Sequence, residues 1–201
     1  MRKSYIIYLH GFRSHSYSIK GQQLKQYCQQ NHPEYSVHLP DLNMPPLEAL
    51  AHISGYIQML DDVVLVGSSL GGFYATHLAV QHNCPAVLIN PAVHPYPLFM
   101  RLFGQGQIPL QVTADWTLDE PQLQQLAAMD IPIVQDASKL LVLLQQGDEV
   151  LDYREAQRYY NQAQTPSMIM TEVGGNHAME NFADKIPMLL TFLALAITKE
   201  K

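Results

Sequence analysis

The chain has 201 residues, 47% of them hydrophobic and 15% charged; that is enough apolar material for one domain with a sizeable core and too much for a disordered chain. Its 12 Lys and Arg stand against 18 Asp and Glu, a formal charge of -6 with no basic cluster, so nothing in it attracts nucleic acid or an anionic membrane surface. Two cysteines, Cys28 and Cys84, do not make a disulfide framework, and a cytosolic location is expected.

In chain order, the first apolar run, residues 5–9, has strand length and is too short for the apolar region of a secretion signal. Leu24, Tyr27 and Cys28 follow at helical spacing within 22–30, then a weaker strand candidate at 36–39. Leu47, Leu50, Ile53 and Ile57 recur every three or four residues, which predicts a second helix. An apolar strand at 63–66 leads into a helix at 70–82, and another strand follows at 86–89. Residues 91–130 break this rhythm, with prolines at 91, 95, 97, 109 and 121 among Phe99, Met100, Leu102, Phe103 and Trp116. They predict an irregular excursion with one or two short helices, which reads equally as a small lid or as an ordinary long connection. A strand at 140–144, a helix at 153–161 and a strand at 168–173 restore the alternation. Phe182, Ile186, Leu189, Leu190, Leu193 and Ile197 then make one broad apolar helix face, in a segment well short of a bilayer span. Nearly continuous apolar strands alternating with helices predict a three-layer α/β fold, a mostly parallel sheet with helices on both faces. No repeat or linker divides residues 1–201, so a single domain is expected, with 91–130 as an excursion within it.

Residues 67–71 read Gly-Ser-Ser-Leu-Gly, a G-x-S-x-G pattern centred on Ser69, after a strand and opening a helix. That is the context of a nucleophile elbow, in which a tight turn lifts the serine hydroxyl clear of the sheet. The N–H of Leu70, at a helix N-terminus, is placed to stabilise an oxyanion. A serine needs a base, and in α/β-hydrolases the chain order is Ser, then acid, then His. Of nine histidines, only His177 follows an acid-bearing strand, just past the strand at 168–173 and after Gly174-Gly175. The best acid is Asp148, after the run 140–144. Asp152 is the runner-up but is expected to cap the next helix, and Glu149 is expected to point away from its neighbour in an extended turn. The loop after the first strand, Leu-His-Gly-Phe at 9–12, is expected to give the second oxyanion donor, the N–H of Phe12, with His10 supporting the loop. These signals all fall just past predicted strands, on the edge of a parallel sheet where ligands bind.

Tyr-Leu-His-Gly-Phe at 8–12, Gly-Ser-Ser-Leu-Gly-Gly at 67–72, Ile-Asn-Pro-Ala at 89–92, Gly-Asp-Glu-Val-Leu-Asp-Tyr at 147–153 and Gly-Gly-Asn-His at 174–177 resemble the small bacterial YqiA-type esterases of the α/β-hydrolase fold. The resemblance spans most of the chain. It implies a cytosolic carboxylic-ester or thioester hydrolase acting on a small-molecule substrate, with no metal or organic cofactor. Ser69 falls on the family's nucleophile, Asp148 on its acid and His177 on its base. The loop Arg13-Ser14-His15-Ser16-Tyr17 departs from the pattern in lacking a proline. The excursion 91–130 is expected to shape an apolar acyl pocket. An acyltransferase with the same triad, or a non-catalytic binding protein on this fold, are the alternatives; scattered histidines and the lack of H-E-x-x-H speak against a metallohydrolase. Oligomeric state is not legible in the sequence.

Overall fold

The computed structural model describes residues 3–104 and 106–198. In chain order the elements are β1 (Ser4–Leu9), α1 (Ile19–Asn31), β2 (Tyr35–His38), α2 (Pro46–Met59), β3 (Val63–Ser68), α3 (Leu70–His82), β4 (Ala86–Ile89), α4 (Pro95–Phe103), β5 (Leu110–Gln111), β6 (Thr117–Leu118), α5 (Glu120–Ala128), β7 (Leu140–Gln145), α6 (Tyr153–Asn161), β8 (Met168–Glu172) and α7 (Ile186–Thr198). A 3-10 turn, Phe182–Lys185, precedes α7.

Six strands form one sheet in the order β2-β1-β3-β4-β7-β8, every neighbouring pair parallel. Parallel neighbours need crossovers, and the helices between strands supply them. Side chains alternate across the sheet, which divides the core in two. Ile6, Tyr8, Val64, Val66, Val87, Ile89, Leu141 and Leu143 pack with Leu24 and Cys28 of α1 and with Leu189, Leu190 and Leu193 of α7. Ile7, Leu9, Leu65, Leu88, Val142 and Leu144 pack on the other face with residues of α2, α3, α5 and α6. Both faces being covered explains why β3 and β7 are buried at every position and why their sequences are apolar without alternation.

Local signals set several boundaries. Asn83, at φ 54°, ends α3 in the left-handed conformation that asparagine tolerates well. Asp119 caps α5 by accepting from the N–H of Gln122. Asp152 caps α6 through the N–H of Arg154 at 3.0 Å, as its sequence position predicts. The excursion 91–130 contains α4, the antiparallel pair β5–β6 and α5. The hairpin was not predicted, because strands of two residues carry no readable alternation. Phe99, Trp116, Leu118, Leu123 and Leu126 are buried in the main core, and His94 Nδ1 meets Asp130 Oδ2 at 2.8 Å, joining the two ends of the excursion. Among the described residues, no helix is long and apolar enough to cross a membrane.

Candidate active site

The turn from β3 to α3 holds Ser69 at φ 56° and ψ -120°, a conformation that few residues with a side chain adopt. It persists because the backbone around it is bonded on both sides. Ser69 N–H donates to the Ile89 carbonyl at 3.0 Å, and the Ser69 carbonyl accepts from Gly72 at 2.9 Å and Ala92 at 3.0 Å. Glycine is required at either side by close approach: a Cβ on Gly67 would run into the Gly71 carbonyl, and one on Gly71 into the Leu9 carbonyl. Ser69 sits at the N-cap position, yet its side chain makes no capping bond, which leaves Oγ free for another partner.

That partner is His177. Its Nε2 lies 3.0 Å from Ser69 Oγ, and its Nδ1 lies 2.7 Å from Asp148 Oδ2. The three residues predicted from separate strand ends are thus brought into one hydrogen-bonded line. Asp148 is 2% exposed, His177 20%. The other carboxylate oxygen of Asp148 accepts from the N–H groups of Val150 at 2.9 Å and Leu151 at 2.8 Å, so the carboxylate is fixed before it meets the imidazole. With Oδ2 acceptor-only, the imidazole proton belongs on Nδ1 and the Nε2 lone pair faces the serine hydroxyl.

The two segments expected to supply oxyanion donors adjoin Ser69, Leu70 as the next residue and Phe12 beside Gly11. Gly11 lies against Ser69, where a Cβ would stand 3.1 Å from the Ser69 Cβ, so the β1 loop passes directly beside the elbow. Among the described residues, no hydrogen-bond acceptor meets the N–H of Phe12 or of Leu70. The Phe12 ring packs edge-on against Phe99 at 4.7 Å between centroids and tilted against Phe103 at 5.9 Å. His10, 3% exposed, supports this loop: Nδ1 meets the Gly11 carbonyl at 2.9 Å, and Nε2 accepts from the N–H of Leu42 at 2.9 Å.

A cleft of about 460 Å³ opens beside Ser69 and His177, walled by Phe12, Tyr17, Ile19, Lys20, Ala178 and Met179 among others. No described residue of 91–130 lines it, contrary to expectation. The excursion reaches the site through the ring of Phe12, on which Phe99 and Phe103 of α4 pack, and through the Ala92 N–H bonded to the Ser69 carbonyl. The loop whose sequence lacks the expected proline, 13–17, forms part of the cleft wall instead.

A second correction concerns Glu149. Its Oε2 accepts the N–H of His177 at 3.0 Å, because the turn bonded to Asp148 Oδ1 swings both carboxylates toward the His177 loop. That bond holds the Glu149 carboxyl below the ordinary carboxylate range. On the next residue, Lys20 Nζ donates to the Ala178 carbonyl at 2.6 Å; burial lowers the pKa of this ammonium, and Asp148 opposes the shift. Gln145, 2% exposed, holds the N–H of Asn176 at 2.9 Å through Oε1. Sequence reasoning missed Gln145, Asn90 and Lys20. A readable signal existed for the first two, each a polar residue closing an apolar strand. Among the described residues, no group of three or more His, Cys, Asp or Glu could hold a metal ion.

Solved structures with similar folds are numerous. Est1E from Butyrivibrio proteoclasticus, in a structure with ferulic acid bound, is 16% identical at a TM-score of 0.74, covering 96% of this chain and 90% of that one. The esterase domain of a Rhodothermus marinus protein is 16% identical at 0.72, covering 98% and 88%. Mouse alpha/beta hydrolase domain-containing protein 10 is 16% identical at 0.69, covering 98% and 90%. At such identities the likeness establishes the fold, which is that of the α/β-hydrolases. The family described as Uncharacterised protein family (UPF0227) matches residues 5–194; the chain belongs to this family, the YqiA-type group that its motifs resemble.

Proposed function

We propose that this chain is a single-domain serine hydrolase, acting in the cytoplasm on small-molecule carboxylic esters or thioesters. The observation that carries the reading is the continuous line from Ser69 Oγ through His177 to Asp148 Oδ2, with contacts of 3.0 and 2.7 Å, at the mouth of an open cleft. Ser69 Oγ attacks the acyl carbon while His177 Nε2 takes its proton. Buried Asp148 stabilises the imidazolium that results, and the N–H groups of Phe12 and Leu70 receive the carbonyl oxygen as it becomes an alkoxide. The tetrahedral adduct collapses by breaking the bond to the leaving oxygen or sulfur, which takes the proton from His177. Water, deprotonated by His177, then attacks the acyl-serine, and the same donors stabilise the second adduct until Ser69 is released. The apolar side chains Phe12, Ile19 and Met179 along the cleft give an acyl ester a place to lie. The likeness to Est1E with bound ferulic acid supports an ester substrate.

The test is covalent. Wild type and Ser69→Ala are incubated with a fluorophosphonate probe and read by intact mass, followed by a panel of acyl esters and thioesters. One adduct on wild type, none on the variant, and loss of turnover by several orders of magnitude are expected. A folded wild type that neither labels nor hydrolyses any member of the panel would overturn the reading.

A further inference from the structure

The tetrapeptide Ile89-Asn90-Pro91-Ala92 has no part in the chemistry above, yet it lies between the residues that perform it. Its backbone grips the elbow from two sides, through the Ile89 carbonyl and the Ala92 N–H, each 3.0 Å from its Ser69 partner. The side chain of Asn90 reaches the other way. It is 2% exposed, and Nδ2 donates to the carbonyls of Asn176 at 3.1 Å and His177 at 3.2 Å. Oδ1 accepts from the N–H of Gln145 at 3.0 Å, and the Asn90 N–H donates to the Leu143 carbonyl at 2.9 Å. The orientation of this amide is forced, since turning it over would set oxygen against two carbonyls and nitrogen against a donor.

The backbone at Asn90 is unusual as well. It has φ 40° and precedes a proline, a position normally confined to extended conformations. Glycine would satisfy that geometry more readily than asparagine. What glycine lacks is the pair of donors that meet the His177 loop. The loop needs such a hold, because it follows two glycines at φ 74° and 75° and hangs from β8, three strands beyond the β3 strand that presents Ser69.

We propose that Asn90 is a positioning residue, one that ties the His177 loop to the segment gripping Ser69 and so sets the distance between base and nucleophile. The inference rests on the hydrolase reading above. Gln145 completes the hold on Asn176, and Glu149 and Lys20 hold the outer side of the loop; Asn90 is the member that bonds the loop from within the segment gripping Ser69.

Two variants test it. Asn90→Gly removes the amide without backbone conflict, and Asn90→Asp keeps the volume, the tolerance of positive φ and the acceptor facing Gln145 while removing the donors. Each is compared with wild type for hydrolysis of a p-nitrophenyl ester, for the rate of fluorophosphonate labelling, and for the downfield imidazole proton of His177 in NMR spectra. The expected result is a fall of about 10- to 100-fold in kcat and in labelling rate with KM little changed, and a displaced or broadened imidazole resonance. Variants that fold and keep the wild-type kcat, labelling rate and resonance would overturn the proposal, whatever their melting temperatures. If wild type itself fails to label, the hydrolase reading falls, and the resonance alone decides the positioning claim: unchanged in both variants overturns it, displaced supports it. If Asn90→Gly does not fold, Asn90→Asp carries the same comparison.

Discussion

The strained elbow at Ser69 makes a prediction about stability as well as activity. Ser69→Ala and Ser69→Gly both delete the hydroxyl and its 3.0 Å contact with His177, so that loss cancels between them. They differ in whether a Cβ remains at φ 56° and ψ -120°. Holding a residue with a side chain in such a region costs on the order of 1–3 kcal/mol. Glycine escapes that cost but gives the unfolded chain more freedom, worth about 0.4–1 kcal/mol against folding. The balance predicts that Ser69→Gly is the more stable of the two by roughly 1 kcal/mol, about 2–4 °C in Tm for a chain of this length. Urea denaturation of the two variants measures the difference directly, with equal slopes confirming a common unfolded state. An alanine variant as stable as the glycine variant, or more so, would refute the idea that the turn stores strain.

Other expectations follow from specific contacts. Tyr160 OH and Thr76 Oγ1 are buried 2.7 Å apart, and Thr76 Oγ1 donates to the Gly72 carbonyl at 2.9 Å, so Tyr160 is the donor of the pair. Tyr160→Phe is expected to cost about 1 kcal/mol, and Thr76→Val, which strands the phenol, about 1–3 kcal/mol; a Thr76→Val variant no less stable than Tyr160→Phe in thermal melts would contradict this. The Lys185 ammonium, with the amides of Gln145 and Asn181, holds the Glu172 carboxyl below its ordinary range. Its stabilisation is therefore full above about pH 4.3, the unfolded value, and is lost as pH falls through the lower folded value. Melting temperatures of Glu172→Gln should fall less steeply on acidification than those of wild type, and parallel curves would count against it. Phe99→Leu, a large-to-small change in the core, should cost roughly 1–2 kcal/mol and slow fluorophosphonate labelling, because Phe12 loses its edge-on partner. Unchanged labelling would mean that backbone bonds alone hold the Phe12 loop.

Much of the site was legible because its chemistry is written at strand ends. Ser69 and Asp148 each follow an apolar run that forms a strand buried at every position, His177 follows the edge strand β8, and parallel strands put those ends on one edge. Glu149 was misread because side-chain direction in a turn depends on which backbone groups the preceding residue captures, here Val150 and Leu151 by Asp148. The role of 91–130 was misjudged for a related reason. Bulky apolar residues announce burial without saying against what, and Phe99 turned out to face the core and the ring of Phe12. Asn90 and Gln145 carried a legible oddity, a polar side chain closing an apolar strand, but their partners lie 86 and 31 residues away, beyond any periodicity.

The strand order carries a consequence for how activity appears during folding. Ser69 and His177, the proposed nucleophile and base, are 108 residues apart in the chain, and β8, which leads to His177, is an edge strand paired among the described residues with β7 alone. Contacts so distant close late, after local structure has formed. A folding intermediate with β1, β3 and β4 already paired would display a finished elbow with no base beside it. Enzymatic turnover in a refolding experiment would then serve as a clock for the last strand alone, lagging behind the circular-dichroism signal of the sheet.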